Sequence, residues 1–400
     1  MKVLLIDVNC KNSSTGNIVY NLYNFINSSG DEAAVCYGRG AKILEKNIFK
    51  FGIDAETYLH ALLTRITGFT GCFSFFSTRR LIMYIESFAP DVVHIHELHA
   101  YFVNIKTLID FLKKNHIRTV MTLHCEFAYT GKCGHSVECE QWKTECKECP
   151  HLKQYVSTMW FDHTNYMFKQ KKKAFSDFRE LSIITPSNWL AERVRDSFLK
   201  SYPLSVIHNG IDTTIFHPKD GSNLRRELRI NKNEKVVLSI APHLMTKEKG
   251  GGFVRKIAKI LENEKIRFIM VGVDGVDCLY ENNVIICGPI YDKNLLADYY
   301  SLADLFLICS ERENFPTTCI EAQCCGTPVY GFNTGGTIET FVNDTCRYVD
   351  YADCNKLAQL LSEAPFKTAD IVNRLSREAF REYSFNSFSE KNVKMYRMEK

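Results

Sequence analysis

Residues 310–336 read Ser-Glu-Arg-Glu-Asn-Phe-Pro-Thr-Thr-Cys-Ile-Glu-Ala-Gln-Cys-Cys-Gly-Thr-Pro-Val-Tyr-Gly-Phe-Asn-Thr-Gly-Gly. The apolar run Leu305–Ile308 just before them predicts a buried strand. Pro316, followed by two threonines, predicts a helix start. A helix opening just after a strand end presents free backbone N–H groups and a partial positive charge, a ready site for a phosphate. Glu313 lies on the loop before this helix and Glu321 within its first turns. Such carboxylates suit sugar and ribose hydroxyls, because each can accept two hydrogen bonds from a diol. A further strand, Pro328–Gly331, leads to Gly335-Gly336, where backbone can approach a ligand closely.

Outward from this stretch the same alternation continues. Val236–Ile240, Arg267–Val271 and Val284–Ile286 read as strands on its N-terminal side. Val3–Val8, Asp91–Ile95, Thr119–Leu123, Ser182–Ile184 and Ser205–Ile207 form an earlier series, with helical patterns at Asn104–Lys114 and Ala191–Leu199. Turn signals in His208-Asn-Gly-Ile-Asp and His217-Pro218 separate the two series. The expected architecture is α/β: two doubly wound, Rossmann-like domains facing each other across a cleft, with ligands beyond the carboxyl ends of the strands. The expected boundaries are 1–210, with a cysteine-rich insertion at 125–155; 218–382; and a C-terminal helix, 383–400, returning to the first domain.

At 400 residues the chain is long enough for two cores, and 45% apolar and 24% charged residues suit a globular protein. A net charge of +4 excludes a nucleic-acid binder with a dominant basic face. The start, MKVLLIDVN, reads as a strand and not a signal peptide, and no apolar stretch reaches the ~18 residues of a membrane span. The expected location is therefore a reducing cytoplasm, where the 16 cysteines are thiols or metal ligands. Lys169-Gln-Lys-Lys-Lys173 is either a solvated helix face or a surface for anionic lipid. Arg65–Arg80 mixes aromatics with three arginines: exposed it suits a membrane surface, buried it is core.

The segment 310–336 resembles the signature of the retaining GT-B glycosyltransferases of family four. The likeness extends over the chain through Pro186-Ser-Asn-Trp189, Asn209-Gly-Ile-Asp212 and a phenylalanine-rich tail. It implies that Glu321 binds the ribose of a nucleotide-sugar donor and that Glu313 contacts the donor sugar. Backbone groups of Asn314, Phe315, Pro316, Thr317 and Thr318 would then hold the distal phosphate. Lys249 before Gly250 matches the family's loop lysine, a cation for the leaving diphosphate. The family's loop arginine is absent, with His243 or Lys247 in its place. Gly16, in a first βα turn that is not a dinucleotide fingerprint, corresponds to the loop beside the donor phosphates. His124 matches the histidine that hydrogen-bonds the donor sugar, and is assigned a catalytic role with Glu313 and Lys249. The likeness also implies retention of configuration and no catalytic metal.

Two local features remain. His94, His96 and His99 lie close together, and the readings are a metal site or single histidines satisfied within a sheet. Cys133, Cys139, Cys146 and Cys149 follow C-x(5)-C-x(6)-C-x(2)-C, whose final C-x-x-C is a zinc half-site; the readings are a structural zinc, redox-labile thiols or plain packing. This string and the histidine segment resemble a subgroup from bacterial surface-polysaccharide clusters. The expected reaction is therefore transfer of a hexose or N-acetylhexosamine from a UDP-sugar, with GDP as the second choice. The acceptor expected is a lipid-linked O-antigen or capsule glycan at the inner face of the cell membrane, met peripherally. The alternatives are a sugar-nucleotide epimerase of the same architecture and a non-catalytic sugar- or nucleotide-binding module.

Overall fold

The computed structural model describes residues 1–398, which divide into two compact units. One is Met1–His208 together with the segment from Ser389 onward; the other is Asn209–Phe388.

The first unit is a seven-stranded sheet in the order β3-β2-β1-β4-β5-β6-β7. Its strands are β1 (Lys2–Asp7), β2 (Glu32–Tyr37), β3 (Ile48–Lys50), β4 (Val92–Ile95), β5 (Thr119–Thr122), β6 (Leu181–Thr185) and β7 (Leu204–Val206). All pairs are parallel. The crossovers carry α1 (Ser14–Ser28), α2 (Asp54–Thr67), α3 (Phe75–Phe88), α4 (Ile105–Lys114), α5 (Thr164–Phe175) and α6 (Asn188–Asp196). Covered on both faces, β1 reads as an unbroken apolar run, with Val3, Leu4, Leu5 and Ile6 fully buried.

The second unit repeats the plan in the order β10-β11-β9-β8-β12-β13-β14. Its strands are β8 (Lys235–Ile240), β9 (Ile266–Val271), β10 (Cys278–Glu281), β11 (Val284–Cys287), β12 (Leu305–Ile308), β13 (Val329–Phe332) and β14 (Arg347–Val349). All pairs are parallel except the β10–β11 edge hairpin. Its helices are α7 (Ser222–Glu227), α8 (Gly251–Ile260), α9 (Lys293–Leu302), α10 (Thr317–Cys324), α11 (Cys354–Glu363) and α12 (Ala369–Tyr383). Alternate residues of β8 enter two separate cores, Val236 and Leu238 on one face and Val237 on the other. The last helix, α13 (Phe385–Arg397), begins beside Ile211 of the second unit and then packs on the first. There Tyr396 reaches His94, and Arg118 donates to the Met395 carbonyl at 3.0 Å.

The strand order of each unit reverses once, between β1 and β4 and between β8 and β12. Loops leaving a sheet at such a reversal part to opposite faces and leave a crevice at the carboxyl ends of the strands.

Candidate functional site

In the second unit, β8 and β12 flank the reversal, and the loops that follow them are locked together. Gly250 has φ +75°, and a Cβ there would lie 2.0 Å from the Cys309 carbonyl oxygen, so only glycine permits this approach. Glu311 N–H donates to the Glu248 carbonyl at 2.9 Å. The result places Lys249 Nζ 2.7 Å from Glu313 Oε1. The loop after β13 closes the arrangement: Gly336 N–H donates to the Glu313 carbonyl at 2.9 Å. Gly335, at φ +57°, has room for no side chain against the same oxygen.

Pro316 is the N-cap of α10 and supplies no side-chain hydrogen bond to its first turn. Half-buried Thr317 and Thr318 occupy that turn. Asn314 and Phe315 are buried, and the Phe315 ring packs on Tyr383 with centroids 5.9 Å apart. Phe315 therefore offers a ligand its backbone only. Glu321, further along α10, accepts a 2.8 Å hydrogen bond from Tyr300 of α9. Burial pushes its carboxyl up to about 7. Of the two stand-ins for the absent arginine, exposed Lys247 pairs with Glu311 at 3.2 Å, on the same loop as Glu313. His243 turns instead to Asp274 at 2.7 Å, on the loop after β9.

The first unit gathers a different set at its own reversal. Asp7 ends β1, fully buried. Its Oδ2 accepts from Thr15 Oγ1 at 3.1 Å, while Oδ1 has no partner among the described residues. Burial, reinforced by the nearby Glu97 carboxylate, pushes its carboxyl up to about 7. Gly16 lies inside the first turn of α1, where Ser13 accepts from its N–H at 2.9 Å. A Cβ on Gly16 would come 2.9 Å from Ser13 Oγ and 3.1 Å from the Asn9 carbonyl. The three histidines separate. His94 is satisfied within the unit by Tyr396 and by Thr122 Oγ1 at 2.7 Å, and burial holds its pKa down at about 3. His96 Nδ1 lies 3.1 Å from His124 Nε2, and burial lowers the pKa of both. His99 pairs with buried Glu97 at 2.9 Å. Burial is the largest influence and opposes its charge, but the Glu97 carboxylate and the Cys125 side chain together outweigh it and raise the His99 pKa. Cys125 completes this cluster. Glu97, His99 and Cys125 are the one trio of such groups, among the described residues, whose ligand atoms all lie within 4.8 Å.

Residues 15–215 match the family described as Glycosyltransferase Family 4, and residues 220–364 match the one described as Glycosyl transferases group 1. The chain belongs to glycosyltransferase family 4. Among its relatives is Escherichia coli (strain K12) WcaC, assigned by name to colanic acid biosynthesis as a glycosyl transferase. It is 25% identical over 338 residues, covering 77% of this chain and 76% of the relative. Two solved structures share the fold. Sucrose-phosphate synthase from Thermosynechococcus elongatus superposes with a TM-score of 0.69 at 16% identity, over 99% of this chain and 98% of that one. Anabaena HepE in complex with UDP-glucose superposes with a TM-score of 0.63 at 17% identity, over 99% of each chain. The protein is thus a glycosyltransferase whose two Rossmann-like sheets have GT-B enzymes as structural neighbours.

In this family member the cysteine-rich insertion is a well-tied loop. Buried Glu126 holds Arg193 of α6 at 2.6 Å and accepts from Ser136 N–H at 2.6 Å and from Tyr129 Oη at 3.1 Å. The Arg193 guanidinium lies over Trp142 and Trp189, at 4.6 and 5.1 Å. Lys132 Nζ donates to the carbonyls of His151, Leu152 and Gln154. Lys171 Nζ donates to the Phe127 carbonyl at 2.6 Å, and burial pushes its pKa down to about 7. Cys133, Cys139, Cys146 and Cys149 line one cavity of about 20 Å³. The neighbouring Cys133 thiol holds the Cys149 thiol below its ordinary range. No three of the four sulfurs lie within 4.8 Å of one another, so a tetrahedral ion requires them to draw inward.

The reading from sequence did not place Asp7, Glu97, Cys125 or Tyr300 in a site. Asp7, Glu97 and Cys125 lie at or just beyond strand ends, a position that marks ligand-facing residues in doubly wound sheets. Tyr300 gives no comparable signal.

Proposed function

We propose that this glycosyltransferase moves a hexose or N-acetylhexosamine, with retention, from a nucleoside-diphosphate sugar to a lipid-linked glycan of a bacterial surface polysaccharide. UDP is the favoured carrier. The observation that carries the donor half is the Lys249–Glu313 pair, 2.7 Å apart, beside the start of α10. Negative charge gathers on the diphosphate as the glycosidic bond breaks, and a fixed cation and helix N-terminus lower that barrier. In this reading Lys249 and the backbone of residues 314–318 take the diphosphate, with Lys247 adjoining. Glu321 takes the ribose diol and Glu313 the sugar. His124, hydrogen-bonded to His96, donates to a sugar hydroxyl. UDP-glucose in the HepE complex and the colanic acid assignment of WcaC support the carrier and the pathway class.

The cysteine cluster is proposed to hold a structural zinc. The shared cavity and the lowered Cys149 thiol support it, against the spacing of the sulfurs. The functional reading is tested by thermal shift with UDP, GDP, ADP and their sugars. Stabilisation by UDP and its sugars, at least a few degrees at saturation and lost in Glu321→Ala, is expected. Equal indifference to all three nucleotides overturns it.

A further inference from the structure

Helix α2 and the first turn of its neighbour α3 are built inside out, although the rest of α3 buries Leu81, Ile85 and Phe88. α2 buries Thr57, His60 and Thr64 and exposes Tyr58, Leu59 and Leu62. The first turn of α3 buries Ser77 and Thr78 and exposes Phe75 and Phe76, at 60% and 73%. A helix on a soluble protein ordinarily does the reverse. The inversion is fixed by hydrogen bonds beneath it. His60 Nδ1 meets Ser74 Oγ at 2.7 Å, Thr64 Oγ1 donates to the Phe69 carbonyl at 2.8 Å, and Thr78 Oγ1 donates to the Ser74 carbonyl at 2.7 Å. Glu56 of α2 accepts from the N–H groups of Phe76 and Ser77 at 2.9 and 2.8 Å, so the two helix starts adjoin. The polar side chains cannot rotate out without breaking these bonds, and the apolar ones are therefore held in solvent.

A third element extends this face. The strip 155–166 exposes Tyr155, Met159, Trp160, Phe161 and Tyr166, with Trp160 at 66%. It is pinned to the end of α2: Met159 N–H donates to the Arg65 carbonyl at 2.8 Å, and His163 Nδ1 meets the Thr67 carbonyl at 2.6 Å. Phe69 stacks on His163 with centroids 4.5 Å apart. Exposed arginines lie on the same two helices: Arg65 on α2 and Arg79 and Arg80 on α3. Three carboxylates of these elements are engaged: Asp54 with Lys50, Glu56 with the start of α3, and Asp162, within the strip, with the N–H groups of Cys149 and Thr164. Tryptophan, tyrosine and phenylalanine beside arginine is the composition that settles at a bilayer interface, rings at the level of the headgroups and cations on the phosphates.

We propose that α2, the start of α3 and the strip 155–166 form a membrane-docking face that inserts its aromatic side chains into an anionic lipid interface. It rests on the proposed lipid-linked acceptor only for its biological sense, and is tested without that acceptor. Purified full-length protein is floated with vesicles of phosphatidylethanolamine and phosphatidylglycerol, and separately with phosphatidylcholine alone. Binding to the anionic vesicles, weakened by salt, is expected. The double variant Trp160→Ser/Phe161→Ser should lower the partition coefficient at least tenfold. Leu59→Ser/Leu62→Ser should do the same from the other element; both pairs are exposed, so each variant should keep the parent's circular dichroism spectrum. Donor-nucleotide thermal shifts should be unchanged in every variant, which separates failure of this proposal from failure of the functional reading. Absence of vesicle binding overturns it. So does a concentration-dependent dimer in solution that either double variant dissociates, because the face would then belong to a second copy of the chain.

Discussion

Lys249→Ala separates chemistry from folding at one position. The Lys249 and Glu313 side chains are 33% and 18% exposed, so water screens their pair and its contribution to stability is at most about 1 kcal/mol. For a unit of this size, that moves Tm by no more than about 4 °C. The expected cost to catalysis is larger. Removing one preorganised charge or donor aimed at a developing anion costs roughly 10²–10³ in kcat, about 3–4 kcal/mol. Lys249→Ala also strips Glu313 of its partner, leaving an uncompensated carboxylate to repel the diphosphate of the donor. The double variant Lys249→Ala/Glu313→Gln removes that repulsion and should recover nucleotide affinity without recovering kcat. Steady-state transfer kinetics, nucleotide titration and thermal denaturation of the four proteins in the cycle make the measurement. A loss in kcat/KM below about threefold for Lys249→Ala, or one that tracks the loss in Tm, would refute the assignment of Lys249 to the leaving group.

Other consequences are equally direct. Gly250→Ala forces a Cβ to within 2.0 Å of the Cys309 carbonyl at φ +75°, so the unit should lose more than about 2 kcal/mol in urea denaturation and its nucleotide response with it. Asp7 binds a proton up to about pH 7 in the folded protein but only to about 4 when unfolded. Its contribution therefore falls as pH rises from about 4 to 7 and is level above. Asp7→Asn should flatten that part of the stability–pH curve and raise Tm at pH 8; an unchanged curve refutes the buried, proton-holding carboxyl. Metal analysis of protein purified without chelators should find about one zinc per chain, lost in Cys146→Ser/Cys149→Ser; less than about a tenth of an equivalent rejects the structural ion.

What could be read from the sequence follows from how each feature is encoded. The donor segment was legible because strand, loop, proline and helix are contiguous there, and β12 runs from Leu305 to Ile308 as read. The α6 boundary was less so: apolar spacing suggests Ala191 as the start, but Ser187 accepts from Leu190 N–H and opens the helix at Asn188. Strands β2, β3 and β14 and the edge hairpin strand β10 escaped notice for physical reasons. β2 is Glu-Ala-Ala-Val-Cys-Tyr, poor in β-branched residues, and exists because it pairs residue by residue with Lys2–Asp7. β10 and β14 are short, exposed edges.

The first unit's polar cluster was hidden for a different reason. Parallel register sets Leu5 against His94, and Ile95 against Met121. Asp7 at the end of β1, and His96, Glu97, His124 and Cys125 just past the ends of β4 and β5, are thereby delivered to one end of the sheet from three distant stretches of chain. No local spacing announces such a set, whereas Glu313 and Glu321 announce themselves eight residues apart. The contrast carries a chemical argument. A nucleoside diphosphate presents the same charge and diol whatever sugar it bears, so one contiguous segment can hold it. An acceptor differs from enzyme to enzyme, and residues at separate strand ends can change one at a time without disturbing the sheet that positions them. Asp7, Glu97 and Cys125 are therefore where substitutions should alter acceptor choice while leaving nucleotide binding in place. Glu97→Gln, which keeps the shape but removes the charge paired with His99, is the cleanest of them. Its nucleotide thermal shift should match the parent protein while transfer to the native acceptor falls. A parallel loss of both would tie Glu97 to the donor instead.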